Sequence, residues 1–167
     1  MATASPSTGD SAKAPDIGIS AKSAKDVSRA LAEILADTYT LLIKTHVYHW
    51  NVVGPLFLPL HELTEQHYKD MFEAADHIAE RIRALGQVTP LSFEQMLPKA
   101  GVEEETANRA APAMVQRLVA DHEQLAKRLR IAALKANDAD DLVTADLLTG
   151  RLAFHEKAIW MLNAMTS

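Results

Sequence analysis

Apolar residues recur at intervals of three and four positions along four long segments, the spacing that places them on one face of an α-helix. The first segment runs from about Ala24 to Val52, and its stripe comprises Val27, Leu31, Ile34, Leu35, Leu41, Leu42 and Tyr48. The second runs from about Pro59 to Leu85 and stops at Gly86, a residue suited to a helix C-terminus. Its stripe comprises Leu60, Leu63, Met71, Ala75, Ile78, Ile82 and Leu85.

Two more long helices are predicted in the second half of the chain. One begins near Pro112, because proline is accepted in the first turn of a helix. The other begins around Asp140 and carries Leu148, Leu152, Ile159 and Leu162. The connection 87–101 is long enough to cross a bundle, and the capping-box sequence at 92–95 predicts a short helix within it. The pattern therefore predicts an all-α protein with four long helices and one short one.

Composition limits the number of domains and the kinds of site. A chain of 167 residues suits a single domain, and six glycines with 5% aromatic residues favour helices over sheets. Residues 1–23 are rich in small and polar residues, so we expect a disordered tail followed by a helical bundle over 24–167. The absence of cysteine excludes disulfides and thiolate metal sites.

The charge pattern bears on partners and location. A formal net charge of −5 argues against attraction of nucleic acid by the whole surface. The N-terminal region is nearly neutral, since three lysines are offset by three aspartates: Lys13, Lys22 and Lys25 against Asp10, Asp16 and Asp26. Neither a run of about 20 apolar residues nor a secretory leader is present. We therefore expect a cytoplasmic protein that contacts DNA, if at all, through a local patch or a tail, and that is nucleoid-associated only if it does so.

Histidines and carboxylates concentrate around the first connection between helices. Two prolines, Pro55 and Pro59, bracket this connection. His49 therefore lies near the end of one helix and His61 near the start of the next, so the two can meet across an antiparallel pair. Glu65 follows His61 by one turn and projects from the same face. Imidazole and carboxylate groups together are a suitable ligand set for iron.

Asp76 and Glu80 form a second acidic group further along the same helix, again one turn apart. His61 and Asp76 are separated by roughly 22 Å along a straight helix. Because metal–ligand bonds are only about 2 Å long, one chain cannot bring both groups to one ion. Antiparallel packing of this surface on two chains can do so, which predicts a two-fold dimer with two equivalent sites. The alternative is a solvated acidic helix face, on which like charges at this spacing repel.

This stretch resembles the Dps family, the DNA-binding proteins from starved cells, also called mini-ferritins. The family pattern HWN-x2-G-x2-F-x2-LH-x3-(D/E), followed by D-x3-ER and a terminal L-G, is filled at every position. The matching segments are HWNVVGPLFLPLHELTE and ADHIAERIRALG. The helical pattern extends the resemblance over about residues 24–165.

The resemblance implies a ferritin-like four-helix bundle, with the short helix in the long connection between helices 2 and 3, assembled into a hollow dodecamer. It implies a ferroxidase, an oxidoreductase that oxidises Fe(II), preferentially with hydrogen peroxide or else with dioxygen, and stores Fe(III) mineral while protecting DNA from oxidative damage. The implied ligands of a di-iron intersubunit site are His49 and His61 of one subunit with Asp76 and Glu80 of its neighbour. Glu65 occupies the position of an additional ligand.

Other positions match the family less specifically. Trp50 resembles a family tryptophan that is suspected of giving up electrons during oxidation. Asp146 and Asp141 resemble acidic residues that surround iron-admitting pores at three-fold axes, although Asp141 also suits a plain helix N-terminus. His46, one turn before His49, is a candidate for supporting the ligands.

The remaining candidate residues are expected to have structural roles only. His67, His77, His122 and His155 show no spacing that compels a site, so we expect packing or solvent contact for each. Trp160 is expected in the core or an interface. No glutamate has a histidine three residues later, the motif of conventional ferritin-like di-iron bundles, so the bundle core should be apolar. The alternative function is a non-specific DNA-binding and compacting protein, which a gel-shift assay across salt concentrations would reveal.

Overall fold

The computed structural model describes residues 15–166, and helices account for most of them. The α-helices in this range are α1 (Ala21–Asn51), α2 (Phe57–Ala84), α3 (Phe93–Met96), α4 (Ala111–Asn137) and α5 (Leu142–Ala164). A 3-10 turn, Leu97–Lys99, directly follows the short α3. The predicted all-α fold is confirmed, including the short helix in the connection between the second and third long helices.

The bundle consists of two helix pairs. Helix α1 packs along α2 and α4 packs along α5, while contacts of α1 with α4 and of α2 with α5 join the pairs. Every residue of the two predicted stripes in α1 and α2 is buried, and Leu31, Leu41 and Leu60 are completely enclosed. Burial of each such side chain contributes about 1.5–3 kcal/mol. None of the helices within 15–166 combines the length and the hydropathy required to cross a membrane.

Two helices begin earlier than their predicted positions. Helix α1 begins three residues before Ala24, because Ser20 Oγ accepts a hydrogen bond from the Ser23 N–H at 3.1 Å. Residues 21–23 therefore belong to α1. Residues 1–14 lie outside the described range, so disorder there stays a prediction. Helix α2 begins at Phe57, which places Pro59 within its first turn, where a missing N–H removes no helical bond.

The connection between α1 and α2 is short because a glycine allows it to turn sharply. Gly54 adopts a φ of 89°, a left-handed conformation that side chains disfavour. This turn folds α2 back along α1 and sets the end of one helix beside the start of the other. At the far end of α2, Gly86 has a φ of 76° and the Gln87 N–H reaches Ile82 O at 3.1 Å, as predicted for a C-terminal glycine.

Asp37 anchors the long crossover between α2 and α4 to the bundle. Its buried carboxylate accepts hydrogen bonds from the N–H groups of Gly101 and Val102 at 2.5 and 2.9 Å, and from Arg128 Nη1 at 2.5 Å. A Cβ atom on Gly101 would lie 2.6 Å from Arg128 Nη1. A side chain at residue 101 would therefore require Arg128 of α4 to move from its position beside Asp37.

The prediction of a wholly apolar bundle core is wrong at two places. Lys44 and Asp121 are buried between α1 and α4, where Lys44 Nζ lies 2.6 Å from Asp121 Oδ2. His67, His122 and His155 are buried between α2, α4 and α5, and we call them the interior histidine cluster. Burial of these polar groups is tolerated because the charges are paired and the rings bond to or pack against one another.

Candidate metal centre

His49 and His61 are in direct contact where α1 ends and α2 begins, and we call them the histidine pair. Their rings stack with centroids 3.8 Å apart and planes inclined by 17°. His49 Nδ1 lies 2.9 Å from the carbonyl oxygen of His61, and His61 Nδ1 lies 2.9 Å from the carbonyl oxygen of His49. The predicted meeting of these two histidines therefore occurs within one chain.

These reciprocal contacts determine where the protons lie on the histidine pair. A carbonyl oxygen can only accept a hydrogen bond, so each Nδ1 must carry a proton and donate. In the neutral ring the lone pair then resides on Nε2, the atom that binds a metal. Within residues 15–166 neither Nε2 of the pair makes a hydrogen bond. The backbone thus orients both rings and leaves the two Nε2 atoms as the candidate coordinating atoms.

Glu65 lies one turn beyond His61, as predicted, and is partly exposed. Its carboxylate forms an ion pair with Lys69, one turn further along α2. The ammonium of Lys69 lowers the pKa of Glu65, first through this hydrogen bond and then through its charge. Glu65 is therefore an ionised carboxylate close to the histidine pair, and a cation would compete with Lys69 for it.

Asp76 and Glu80 lie on the exposed surface of α2, and neither forms an ion pair with another described residue. Because α2 continues without a break from Phe57 to Ala84, the estimate of roughly 22 Å between His61 and Asp76 holds. No three histidine, aspartate or glutamate side chains within residues 15–166 lie close enough together to hold a metal ion. Each subunit therefore presents two separated groups of ligands.

Exposed apolar side chains surround both groups of ligands. Trp50, Val53 and Leu58 are exposed near the histidine pair. Phe57 stacks on the ring of His61 with centroids 5.2 Å apart. One turn before Asp76, Phe72 is 64% exposed. Contiguous exposed apolar surface of this kind is typical of a protein interface.

Three rings from two helices extend away from the histidine pair. Trp50 and His46 come from α1 and Tyr68 comes from α2, with His46 in the middle. We call these three residues the aromatic stack. His46 was predicted only as a supporting residue, and Tyr68 was not singled out.

Comparison with known proteins establishes the family. The model of the ferritin-like domain matches residues 28–167. A DNA protection during starvation protein of Brevibacillus brevis is 37% identical over 130 residues, which cover 78% of this chain and 87% of that protein. The chain belongs to the Dps family. A low temperature-induced protein of Nostoc is 43% identical over 151 residues, which cover 89% of this chain and 84% of that relative.

Solved Dps structures share the fold over almost the whole chain. The Dps protein of Vibrio cholerae matches with a TM-score of 0.87 at 29% identity, covering 95% of this chain and 100% of that one. It is described as a member of a broad superfamily of ferritin-like diiron-carboxylate proteins. The bundle and the crossover described above are therefore features of a Dps-family subunit.

The two acidic residues assigned to a pore differ sharply in their surroundings in this Dps subunit. Asp141 is buried and is the N-cap of α5. Its carboxylate accepts hydrogen bonds from Arg81 Nη2 at 2.7 Å and from the N–H and hydroxyl of Thr144 at 2.9 and 2.6 Å. Asp146 is exposed on the second turn of α5. Only Asp146 presents a free carboxylate to solvent.

Sequence reasoning missed the grouping of the interior histidine cluster. His122 Nδ1 lies 2.8 Å from His155 Nδ1, and the rings of His67 and His122 are 5.6 Å apart. A weak signal was present, because His122 lies one turn from Leu118, on the apolar stripe of α4. The expectations for His77 and Trp160 have different outcomes. His77 is exposed to solvent as one alternative held, whereas Trp160 is exposed and does not lie in the subunit core.

Proposed function

We propose that this Dps-family protein is a ferroxidase that oxidises Fe(II), preferentially with hydrogen peroxide, at sites shared between two subunits. The observation that carries the proposal is the reciprocal bonding of the histidine pair, in which both Nδ1 atoms donate to backbone carbonyls and both Nε2 atoms are unengaged. A pair of imidazoles held in this way has both Nε2 atoms available as ligands for Fe(II).

The second half of each site would come from another subunit. His49 and His61 of one chain would face Asp76 and Glu80 of its neighbour. Glu65 would be a further ligand, which would allow the site to bind two iron ions. Exposed apolar side chains beside both groups support burial of this surface in a two-fold contact. In such a contact the same surface is used twice, so each dimer would contain two equivalent sites.

The chemistry of the ligands favours oxidation. Imidazole nitrogen accommodates both oxidation states of iron, whereas carboxylate oxygens are hard donors that prefer Fe(III). The carboxylates therefore stabilise the product more than the substrate. With few protein ligands around each iron, positions stay open for peroxide. Iron is here the substrate, which leaves as Fe(III) and hydrolyses to mineral.

Storage requires a cavity and a route into it. We propose that the subunits form a hollow dodecamer, as the family resemblance implies, and that Asp146 lines the pore that admits iron. The exposed carboxylate of Asp146 supports this role, whereas Asp141 is engaged by Arg81 and Thr144. The acidic group at Asp76 and Glu80 and the pore would then both concentrate cations by simple attraction.

Protection of DNA follows from consumption of Fe(II) together with peroxide, because the two would otherwise generate hydroxyl radical. The relative in Brevibacillus brevis is named for DNA protection during starvation. Direct DNA binding is the alternative and is not required by this mechanism. A net charge of −5 gives it little electrostatic support.

The decisive experiment is stopped-flow absorbance in the near ultraviolet after mixing Fe(II) with peroxide or with dioxygen. Wild type should form Fe(III) faster with peroxide. The double variant His49→Ala/His61→Ala should lose about two orders of magnitude in rate, since both ligands that bind Fe(II) are removed. His77→Ala is the matched control, because it removes an exposed histidine of α2 outside the proposed ligand set.

The outcomes separate the alternatives. Loss of rate in the double variant but not in the control would support ferroxidase activity at the histidine pair. Equal rates in all three proteins would overturn it. Retarded DNA in a gel shift at physiological salt, together with equal oxidation rates, would favour the DNA-binding alternative.

A further inference from the structure

Helices α2 and α5 leave a cavity of about 220 Å³ between them. Apolar side chains of α5, including the ring of Phe154, form one part of its wall. Polar side chains from both helices form the rest, namely His67 and Asp70 of α2 and Lys157 of α5, together with Gln66. None of these residues belongs to the proposed iron site, so the cavity is a separate candidate for ligand binding.

Three buried polar atoms at this cavity have no hydrogen-bond partner among residues 15–166. They are His67 Nδ1, Asp70 Oδ1 and Arg151 Nη2. Asp70 Oδ1 lies 2.6 Å from Arg151 Nη1, which pairs the two charges without completing a hydrogen bond. His67 as a whole is only 5% exposed. Buried polar atoms normally have partners, so a group of three at one place points to a ligand that supplies them.

The ring of Phe154 gathers these groups around the cavity. The centroid of the His67 ring lies 5.4 Å from that of Phe154. The guanidinium carbon of Arg151 lies 4.4 Å from the same centroid, and only 13% of the Arg151 side chain is exposed. Because Arg151 is also paired with Asp70, a small molecule in the cavity would be close to all three unpartnered atoms.

The charges around the cavity favour an anion. Arg151 can only donate hydrogen bonds, and a neutral His67 ring can donate when its proton is on Nδ1. Lys157 is exposed and forms no ion pair with another described residue. Desolvation lowers the pKa of His67, the charge of Lys157 adds to this shift and Asp70 opposes it, so both charges lie near the ring. Two cations against one carboxylate leave one net positive charge.

Asp70 restricts which anion fits. A carboxylate oxygen can only accept a hydrogen bond, so a ligand that approaches Asp70 Oδ1 must carry a donor. Inorganic phosphate retains at least one P–O–H group at pH 7, whereas sulfate retains none. A hydrogen phosphate ion therefore has acceptor oxygens for Arg151, His67 and Lys157 and also a hydroxyl for Asp70.

We propose that the cavity between α2 and α5 binds hydrogen phosphate and uses Asp70 to discriminate it from sulfate. Arg151, His67 and Lys157 hold the phosphate oxygens, and Asp70 accepts the hydrogen bond from the P–O–H group. The bound ion connects two helices, so it stabilises the folded chain by mass action. The phosphate is either the free ion or the end of a monoester, since both present the same group to the cavity.

Equilibrium dialysis of the assembled, iron-free protein with radiolabelled inorganic phosphate tests this proposal. Iron is removed first because Fe(III) binds phosphate itself. We expect saturable binding of one phosphate per subunit that unlabelled phosphate displaces and an equal concentration of sulfate does not. Adenosine monophosphate is the second competitor. Displacement by it would extend the site to phosphate monoesters, and the absence of displacement would assign the site to the free ion.

Two variants and one control test the assignment of residues. Lys157→Met should weaken phosphate binding several-fold, because it removes a charge at the cavity. Lys127→Met is the matched control, since it removes the same charge from an exposed position on α4 and should leave the affinity unchanged. Asp70→Asn should allow sulfate to compete with phosphate, because an amide can donate to an oxygen of either ion. Loss of structure alone would not produce this change in selectivity.

A stability measurement gives an independent readout. Phosphate and sulfate both stabilise proteins by exclusion from their surfaces, so sulfate corrects for that effect. The midpoint of urea unfolding should rise further in phosphate than in sulfate for wild type and for Lys127→Met, but not for Lys157→Met.

The outcomes that would overturn the phosphate site are specific. They are equal competition by sulfate and phosphate in wild type, equal weakening by Lys157→Met and Lys127→Met, or no difference between the two anions in urea. Each is measured without iron, so failure of the phosphate site leaves the proposed ferroxidase function untouched.

Discussion

The histidine pair lies at the junction of α1 and α2, whereas the interior histidine cluster lies inside the bundle between α2, α4 and α5. In the pair each ring donates to a backbone carbonyl, so the position of its proton is determined. In the cluster His122 and His155 bond to each other through their Nδ1 atoms, so one ring donates and the other accepts. Histidine is thus held as a candidate metal ligand in one region and packed in the interior in the other.

Burial also controls the protonation of the interior histidine cluster. Desolvation is the main cause that lowers the pKa of His122 to about 3, and positive charge on His67 and Arg151 acts in the same direction. The pKa of His67 falls to about 4, again chiefly by desolvation, although the carboxylate of Asp70 opposes the shift. These rings are neutral at pH 7. A histidine is therefore suited to bind a metal in this protein when Nε2 is accessible and Nδ1 is held as a donor, and residue type alone is not sufficient.

The largest effect is expected for the proposed iron site, because its two groups of ligands would come from different chains. The interior histidine cluster, in contrast, lies within one chain. His49→Ala/His61→Ala and Asp76→Asn/Glu80→Gln should each lose about 100-fold in oxidation rate. Reassembly of equal amounts of the two variants should restore about one quarter of the wild-type rate, since two-fold contacts form at random. Stopped-flow absorbance before and after dissociation and reassembly provides the measurement.

An intrasubunit site would give a different result. Mixed assemblies would then be as inactive as their parents, because every chain carries one of the lesions. Reassembly of each variant with itself is the control for the dissociation step. Size-exclusion chromatography of all samples checks that the mixed and the pure assemblies have the same size.

The interior cluster should control stability against acid. Its histidines have folded-state pKa values below the unfolded value of about 6.5, so the unfolded chain binds more protons as the pH falls. The stabilisation is therefore complete above pH 6.5 and is lost as the pH decreases from there towards 3 to 4. His122 alone should cost about 2 kcal/mol between pH 7 and pH 5, and burial of His155 acts in the same direction.

The double variant His122→Leu/His155→Leu isolates this effect. Urea titrations at fixed protein concentration should show a smaller loss of stability between pH 7 and pH 5 than in wild type. An equal loss in both proteins would mean that groups outside the interior histidine cluster cause the loss of stability between pH 7 and pH 5. His77→Leu, at an exposed position, should leave the pH dependence unchanged.

The two regions also differ in how far the sequence predicts them. His49 and His61 are close in the chain, and two prolines and Gly54 restrict the turn between them, so local reasoning brings the rings together. The three histidines of the cluster come from helices that meet only after the long crossover has formed. No local spacing encodes that meeting, since it depends on how the two helix pairs pack.

Helix ends show the same limit. Periodicity predicts the long helices within a few residues, but α2 and α4 begin without a side-chain cap, so no local capping signal marks their first residues. The ion pair of Asp141 is an example. Its partner Arg81 lies sixty positions earlier in the chain, so the residues around Asp141 do not predict the pair. The sequence identifies Asp76 and Glu80 as candidate ligands. The histidines proposed to complete the site with them belong to a second subunit, so the structure of one chain does not contain the complete site.

A smaller effect should follow from breaking only one half of the contact inside the cluster. His122→Leu leaves the Nδ1 of His155 buried without its partner, which costs about 1–3 kcal/mol. The double variant removes both polar atoms, so it should be more stable than the single variant at pH 7. Urea denaturation of the two proteins measures the difference. A double variant that is less stable than the single one would show that packing of the rings matters more than their hydrogen bond.

The smallest effect is expected at Glu65, which lies on α2 between His61 and the acidic group formed by Asp76 and Glu80. Its carboxylate is ionised and already paired with Lys69, so iron must displace an existing partner, and Glu65→Gln should slow oxidation only about fivefold. Glu62→Gln is the matched control, because that glutamate is exposed and forms no ion pair among the described residues. Lys69→Met should raise the rate slightly by freeing the carboxylate. Stopped-flow rates that fall as far in Glu65→Gln as in the variant lacking both histidines would place Glu65 among the principal ligands, and the surface site would then extend a full turn further along α2.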